Sequence, residues 1–221
     1  MIKNTIIFDL DGTLLNTLAD LHACFNEAIT SFGYPKRTLA EIKSFVGNGI
    51  KKAIERALPN GVEEEMLNKI VDYFKFYYAE HMFEFTKPYD GILELLKELK
   101  EKGYKLAVVS NKYNDEVNDL VKNYFGEFID IAIGEGYGIR KKPEIDGALK
   151  AIKALDSDVE HSIFVGDSDV DIQTAKNLGI PCISVLWGFR DKEFLIERGG
   201  SVFANETKDI LEIIEKKIYL S

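Results

Sequence analysis

Five aspartates fall in two short segments, Phe8-Asp9-Leu10-Asp11-Gly12-Thr13 and Gly166-Asp167-Ser168-Asp169-Val170-Asp171. Each segment follows an apolar, β-rich run, so the carboxylates stand at strand ends, where ligands bind in open α/β sheets. Asp9 interrupts a run that should be buried, and a buried carboxylate needs a cation or hydrogen bonds. A solvated turn accounts for a lone DxDG fragment, and an acidic N-cap accounts for one or two aspartates of the second segment. Neither explains why two further polar clusters also follow predicted strands.

The first of these is Ser110-Asn111-Lys112 after Ala107-Val108-Val109, which presents a hydroxyl and an amide. Alone it reads most simply as a helix cap. The second is Arg140-Lys141-Lys142-Pro143. A basic run is usually a solvated face, but one lysine could neutralise phosphate charge. Lys142 is preferred, because Pro143 is expected to open the next helix at its first position and restrain its neighbour.

These clusters require a sheet to hold them. Strands are expected at Thr5 to Phe8, Lys105 to Val109, Phe128 to Ile133, Ser162 to Val165, Cys182 to Leu186 and Ser201 to Ala204. Helical patterns lie between them, at Gly91 to Lys102, Asn114 to Tyr124, Glu144 to Leu155, Asp169 to Leu178 and Glu206 to Tyr219, with Gly103 and Gly179 as helix stops. The alternation predicts an α/β fold with a parallel sheet covered on both faces. From Leu14 to about Phe85 helical periodicity runs without a convincing strand, through Leu18, Leu21, Phe25, Ala28, Ile29 and Phe32, then Met66, Ile70, Tyr73, Phe74, Tyr77 and Tyr78. This is read as an all-helical cap domain, 14–87, inserted into a catalytic core of 1–13 and 88–221, and its aromatic stripe as a packing face.

The 221 residues, 46% hydrophobic, suffice for a core without staples. A formal charge of −9 disfavours a nucleic-acid or anionic-membrane partner. The apolar run Ile6 to Leu10 is too short for a signal or a membrane span, so a cytoplasmic protein is expected. Cys24 and Cys182 are read as buried, reduced thiols.

In motif content and order, nearly the whole chain resembles the haloacid dehalogenase superfamily. The matching residues are Asp9-Leu10-Asp11-Gly12-Thr13, Ser110, Lys142-Pro143 and Gly166 to Asp171. The resemblance implies a Rossmann-like core, with the first strand between those of the second and fourth motifs. It implies an aspartyl-phosphate formed on Asp9, with Asp11 as acid and then base. It also implies Mg²⁺ held by Asp9, the carbonyl of Asp11 and Asp167, with Asp171 as outer support. Thr13, Ser110, Asn111 and Lys142 would serve the phosphoryl group.

Phe45-Val46-Gly47-Asn48-Gly49 and Leu18-Ala19-Asp20-Leu21 resemble cap segments of phosphoglycolate phosphatases. Gly47, Asn48 and Gly49 would then meet a small phosphorylated metabolite, in a monomer or homodimer. Three competitors share parts of this pattern. A dehalogenase has no need of Asp11. A sugar-phosphate phosphatase or mutase shares the core motifs, but the Gly47-Asn48-Gly49 segment looks unlike the usual Arg-bearing loop of the mutases. A receiver-like phospho-aspartate signalling module would have neither the helical insertion nor a built-in hydrolysis base.

Overall fold

The computed structural model describes residues 4–217. The chain runs β1 (Thr5–Phe8), β2 (Leu15–Asn16), α1 (Leu18–Ser31), α2 (Leu39–Phe45), α3 (Ile50–Ala57), α4 (Glu64–His81), β3 (Lys87–Pro88), α5 (Ile92–Glu101) and β4 (Lys105–Tyr113). It continues with α6 (Asn114–Phe125), β5 (Ile131–Glu135), α7 (Asp146–Ala154), β6 (Ser162–Gly166), α8 (Asp169–Leu178), β7 (Cys182–Val185), α9 (Lys192–Glu197), β8 (Val202–Ala204) and α10 (Thr207–Glu215). Two units result, Met1–Leu15 with Pro88–Ser221, and Asn16–Lys87.

The first unit is built on a six-stranded sheet in the order β5-β4-β1-β6-β7-β8. Its strand pairs are parallel. β1 lies between β4 and β6, with Phe8 level with Val108 on one side and Val165 on the other. Every residue of β1 is buried, because a central parallel strand is covered on both faces; this is why it reads as one apolar run. On one side Ile7, Val109, Ile133 and Phe164 pack with Ala148, Ala151 and Ile152 of α7 and with Ala175 and Leu178 of α8. The parallel register brings the ends of β1, β4 and β6 to one edge, so Asp9 and Asp167 follow β1 and β6 while Ser110 lies in the last half of β4.

Helix ends follow local chemistry. α5 stops where Gly103 takes a φ of 82° and the Tyr104 N–H donates to the Leu99 carbonyl. α8 starts at a capping box, Ser168 with Asp171, and ends at Gly179. Several elements depart from the sequence expectation: β4 runs on to Tyr113 and does not end at Val109, and α9 was not expected. β5 begins at Ile131, not Phe128, because the Phe128 and Ile129 N–H groups donate back to the Phe125 carbonyl and hold the chain in a turn. Pro143 does not open α7, which starts at Asp146; the Glu144 N–H donates to the Lys141 carbonyl, and Arg140 grips Asp146 through two N–H groups, closing a separate turn. α10 ends at Glu215, and the expected terminus at Tyr219 lies outside the described residues.

The second unit is helical apart from the ends of the insertion, where the two-residue strands β2 and β3 pair in a ribbon that periodicity did not announce. Phe25 of α1 meets Phe74 of α4 edge-on at 5.0 Å, and Phe74 stacks on Tyr78. The aromatic stripe is thus a packing face along its buried side. Asp20, buried in α1, accepts the Phe85 and Thr86 N–H groups at 2.9 Å each, tying the end of the unit to its beginning. Neither cysteine is in a disulfide; Cys24 is buried and Cys182 only half-buried. Among the described residues, no helix is long and apolar enough to cross a membrane.

Candidate active site

Asp9 stands one residue past β1, and its Oδ1 accepts the Leu10 N–H at 2.7 Å. Lys142 reaches it from the turn before α7, Nζ to Oδ1 at 2.8 Å. The same ammonium donates to Asp171 Oδ1 at 2.6 Å, and both side chains of that pair are buried. The Asp171 Oδ2 accepts the Ser168 N–H and hydroxyl, so each of its oxygens has a partner within the protein. Lys141, by contrast, is exposed, which identifies Lys142 as the lysine of this cluster.

Asp167 is buried opposite. Its Oδ2 accepts the Phe189 N–H at 2.6 Å, and Thr13, itself fully buried, turns its hydroxyl to Oδ1 at 3.5 Å. The Thr13 carbonyl accepts the Trp187 Nε1–H at 3.0 Å. The loop after β7 is therefore part of the site, which sequence reasoning missed. Gly188 in this loop lets it approach closely: a Cβ there would lie 2.3 Å from the Asp167 Cβ. Gly12 serves the same purpose from the other side, with φ at 84° and a hypothetical Cβ 2.4 Å from Asp167 Oδ2.

Asp9, Asp167 and Asp171 offer carboxylate oxygens within 4.8 Å of one another. Burial pushes the Asp9 carboxyl up to about 7, with Lys142 opposing and Asp171 adding to the rise. Burial, reinforced by the charges of Asp171 and Asp9, raises Asp167 to about 8. Burial also works against the Lys142 ammonium, but Asp171 and Asp9 outweigh it and raise its pKa. Burial thus holds the Asp9 and Asp167 carboxyls toward the neutral form, and a divalent cation would let both ionise together beside Asp171. The donors are all oxygens, and the space the glycines leave beside Asp167 would be closed by a side chain. The cluster fits a hard metal ion.

Ser110 and Asn111 end the buried part of β4. The Ser110 Oγ accepts the Lys112 N–H at 3.3 Å, and the Asn111 amide donates to the Lys142 carbonyl at 3.0 Å, fixing the lysine turn to the strand. Asp11 Oδ2 lies 3.3 Å from Lys112 Nζ. Core candidates from all four sequence clusters thus share one sheet edge. Gly47, Asn48 and Gly49 lie in the other unit, in the turn between α2 and α3, where Gly49 caps α3.

A parallel sheet presenting a carboxylate, a hydroxyl, a lysine and a cluster of aspartates along one edge is an arrangement suited to phosphate chemistry. The model of the haloacid dehalogenase-like hydrolases matches residues 6–185. The chain is 34% identical over 187 residues to the phosphoglycolate phosphatase of Aquifex aeolicus, spanning 83% of this chain and 85% of that one. It is 31% identical to the phosphoglycolate phosphatase of Pseudomonas syringae pv. tomato, over 93% of this chain and 78% of the other. Among solved structures, one from Lactobacillus delbrueckii subsp. bulgaricus, whose assignment as a phosphoglycolate phosphatase is itself a prediction, superposes with a TM-score of 0.92 at 37% identity, covering 97% of this chain and 99% of that one. The chain belongs to the haloacid dehalogenase-like hydrolase family, and within it to the phosphoric monoester hydrolases.

Proposed function

We propose that the protein hydrolyses 2-phosphoglycolate to glycolate and phosphate through an aspartyl-phosphate on Asp9, with Mg²⁺ as cofactor. The observation that carries this reading is the Asp9 carboxylate, held at 2.8 Å by the Lys142 ammonium within a cluster of buried carboxylates. Asp9 attacks phosphorus and the ester oxygen leaves, taking a proton from Asp11; water then attacks the phosphoryl group and gives its proton to Asp11, freeing Asp9. Ser110 and Lys142 meet the phosphoryl oxygens, where charge spreads in the transition state. Thr13, by its contact with Asp167, positions that carboxylate.

Asp9, Asp167 and the Asp11 carbonyl would hold Mg²⁺, with Asp171 supporting them through Lys142 and Ser168. When bound, the ion screens the repulsion between an anionic nucleophile and an anionic ester. The substrate assignment is supported by the names of the Aquifex and Pseudomonas relatives and by the cap segment Phe45 to Gly49. Purified protein should be assayed on 2-phosphoglycolate, hexose phosphates, nucleotides and p-nitrophenyl phosphate, with Mg²⁺ and with chelator. The expected result is Mg²⁺-dependent turnover with the highest kcat/KM for 2-phosphoglycolate. Preference for a hexose phosphate or a nucleotide would overturn the substrate, and undiminished turnover in chelator would overturn the cofactor.

A further inference from the structure

Lys112 has no part in the chemistry described so far, yet it is built into the site from two directions. Its N–H donates to the Ser110 Oγ, and its side chain, 5% exposed, runs to Asp11, where Nζ stands 3.3 Å from Oδ2. Asp11 Oδ1 is buried and has no hydrogen-bond partner among the described residues. The two oxygens of Asp11 are therefore not equivalent: one is engaged by a cation and the other is left for chemistry.

We propose that Lys112 is a positioning residue for Asp11. Its ammonium holds Oδ2, so that Oδ1 is the oxygen that exchanges protons. This rests on the reading of Asp11 as acid and base. In the first half-reaction the Asp9–phosphorus bond forms, the ester P–O bond breaks, and the proton on Asp11 Oδ1 passes to the leaving oxygen. In the second, the water–phosphorus bond forms, the Asp9–phosphorus bond breaks, and the proton of that water returns to Oδ1. Acid–base groups act only within hydrogen-bond reach of the atom they serve, so a carboxylate free to rotate loses much of its effect. A lysine merely anchoring the turn after β1 would affect all substrates alike.

The leaving group separates these roles. p-Nitrophenolate departs as a stable anion and needs no proton, whereas the alkoxide of 2-phosphoglycolate does. Single-turnover rates of leaving-group release, with enzyme in excess and Mg²⁺ fixed, should be compared for wild type, Lys112→Met, Lys112→Arg and Asp11→Asn. Lys112→Met is expected to slow 2-phosphoglycolate by about 10-fold to 100-fold, on the order of a general-acid contribution. It should leave p-nitrophenyl phosphate within about 3-fold and the enzyme concentration for half-maximal rate nearly unchanged, as befits an effect confined to proton transfer. Lys112→Arg should restore most of the difference. If Lys112→Met fails to fold, Lys112→Gln gives the same comparison.

Equal slowing of both esters by Lys112→Met overturns the proposal, as does no slowing of either, and in both cases an Asp11→Asn variant that still discriminates leaves the acid–base reading standing. An Asp11→Asn variant that does not discriminate overturns the acid–base reading and this proposal with it.

Discussion

Lys142 Nζ and Asp171 Oδ1 meet at 2.6 Å, although they lie 29 positions apart in the sequence, and both side chains are buried. The pair fixes the ammonium while leaving it within reach of Asp9. Lys142→Met should therefore lower kcat/KM by at least about 100-fold, since it removes a charge aimed at the transferring group. It also leaves three buried carboxylates together, so its Tm should fall, and fall further in chelator than in Mg²⁺. Steady-state kinetics paired with thermal melts in both conditions check this.

The raised carboxyls predict how metal stabilisation varies with pH. Asp9 and Asp167 move from an ordinary 3.8 to about 7 and about 8, so the metal-free native state holds protons that the unfolded chain has already lost. Their contribution is fully favourable below the unfolded value and is lost as pH rises through about 7 to 8. A bound cation offsets that loss. The gain in Tm from Mg²⁺ should be several degrees at pH 8 and much smaller at pH 5.5; an equal gain at both would contradict the account.

Gly188→Ala should weaken Mg²⁺ more than it weakens the fold. The added methyl would sit 2.3 Å from the Asp167 Cβ, and Asp167 must move to admit it. An increase of about 10-fold or more in the Mg²⁺ concentration for half-maximal activity is expected, in line with losses seen when groups supporting a metal site are disturbed. Activation by Mg²⁺ titration reads it.

Gly47→Val or Gly49→Val should lower kcat/KM for 2-phosphoglycolate far more than for p-nitrophenyl phosphate. Both glycines have positive φ, at 111° and 83°, and a β-branched residue would distort the turn between α2 and α3. Variants that slow both esters equally would remove this turn from specificity.

Much of the site was legible because it sits on strands buried on both faces. Such strands read as apolar runs, and the polar residues that close those runs stand out, as Asp9 and Asp167 do just past β1 and β6 and Ser110 does within β4. What escaped reading depends on contacts that carry no side-chain signal. Phe189 supports Asp167 through its backbone N–H, a group that nearly every residue type would supply. Trp187 bonds to the Thr13 carbonyl 174 residues away, a contact no local pattern announces. Lys112 could not be told from an exposed strand-end lysine until its ammonium was placed beside Asp11. Boundaries failed where turn hydrogen bonds overrode propensity, at Phe128 and at Pro143.

The central claim is that phosphorus is transferred to Asp9. Asp11→Asn should accept the phosphoryl group from p-nitrophenyl phosphate, which needs no acid, and then release it slowly for want of a base. Quenching that variant with borohydride reduces an acyl phosphate to the alcohol, and peptide mass mapping locates the modified residue. The account predicts conversion of Asp9 to homoserine, dependent on both ester and Mg²⁺ and missing from Asp9→Asn/Asp11→Asn. Reduction at a different aspartate, or release of p-nitrophenol with the Asp9 peptide unmodified throughout, would contradict it.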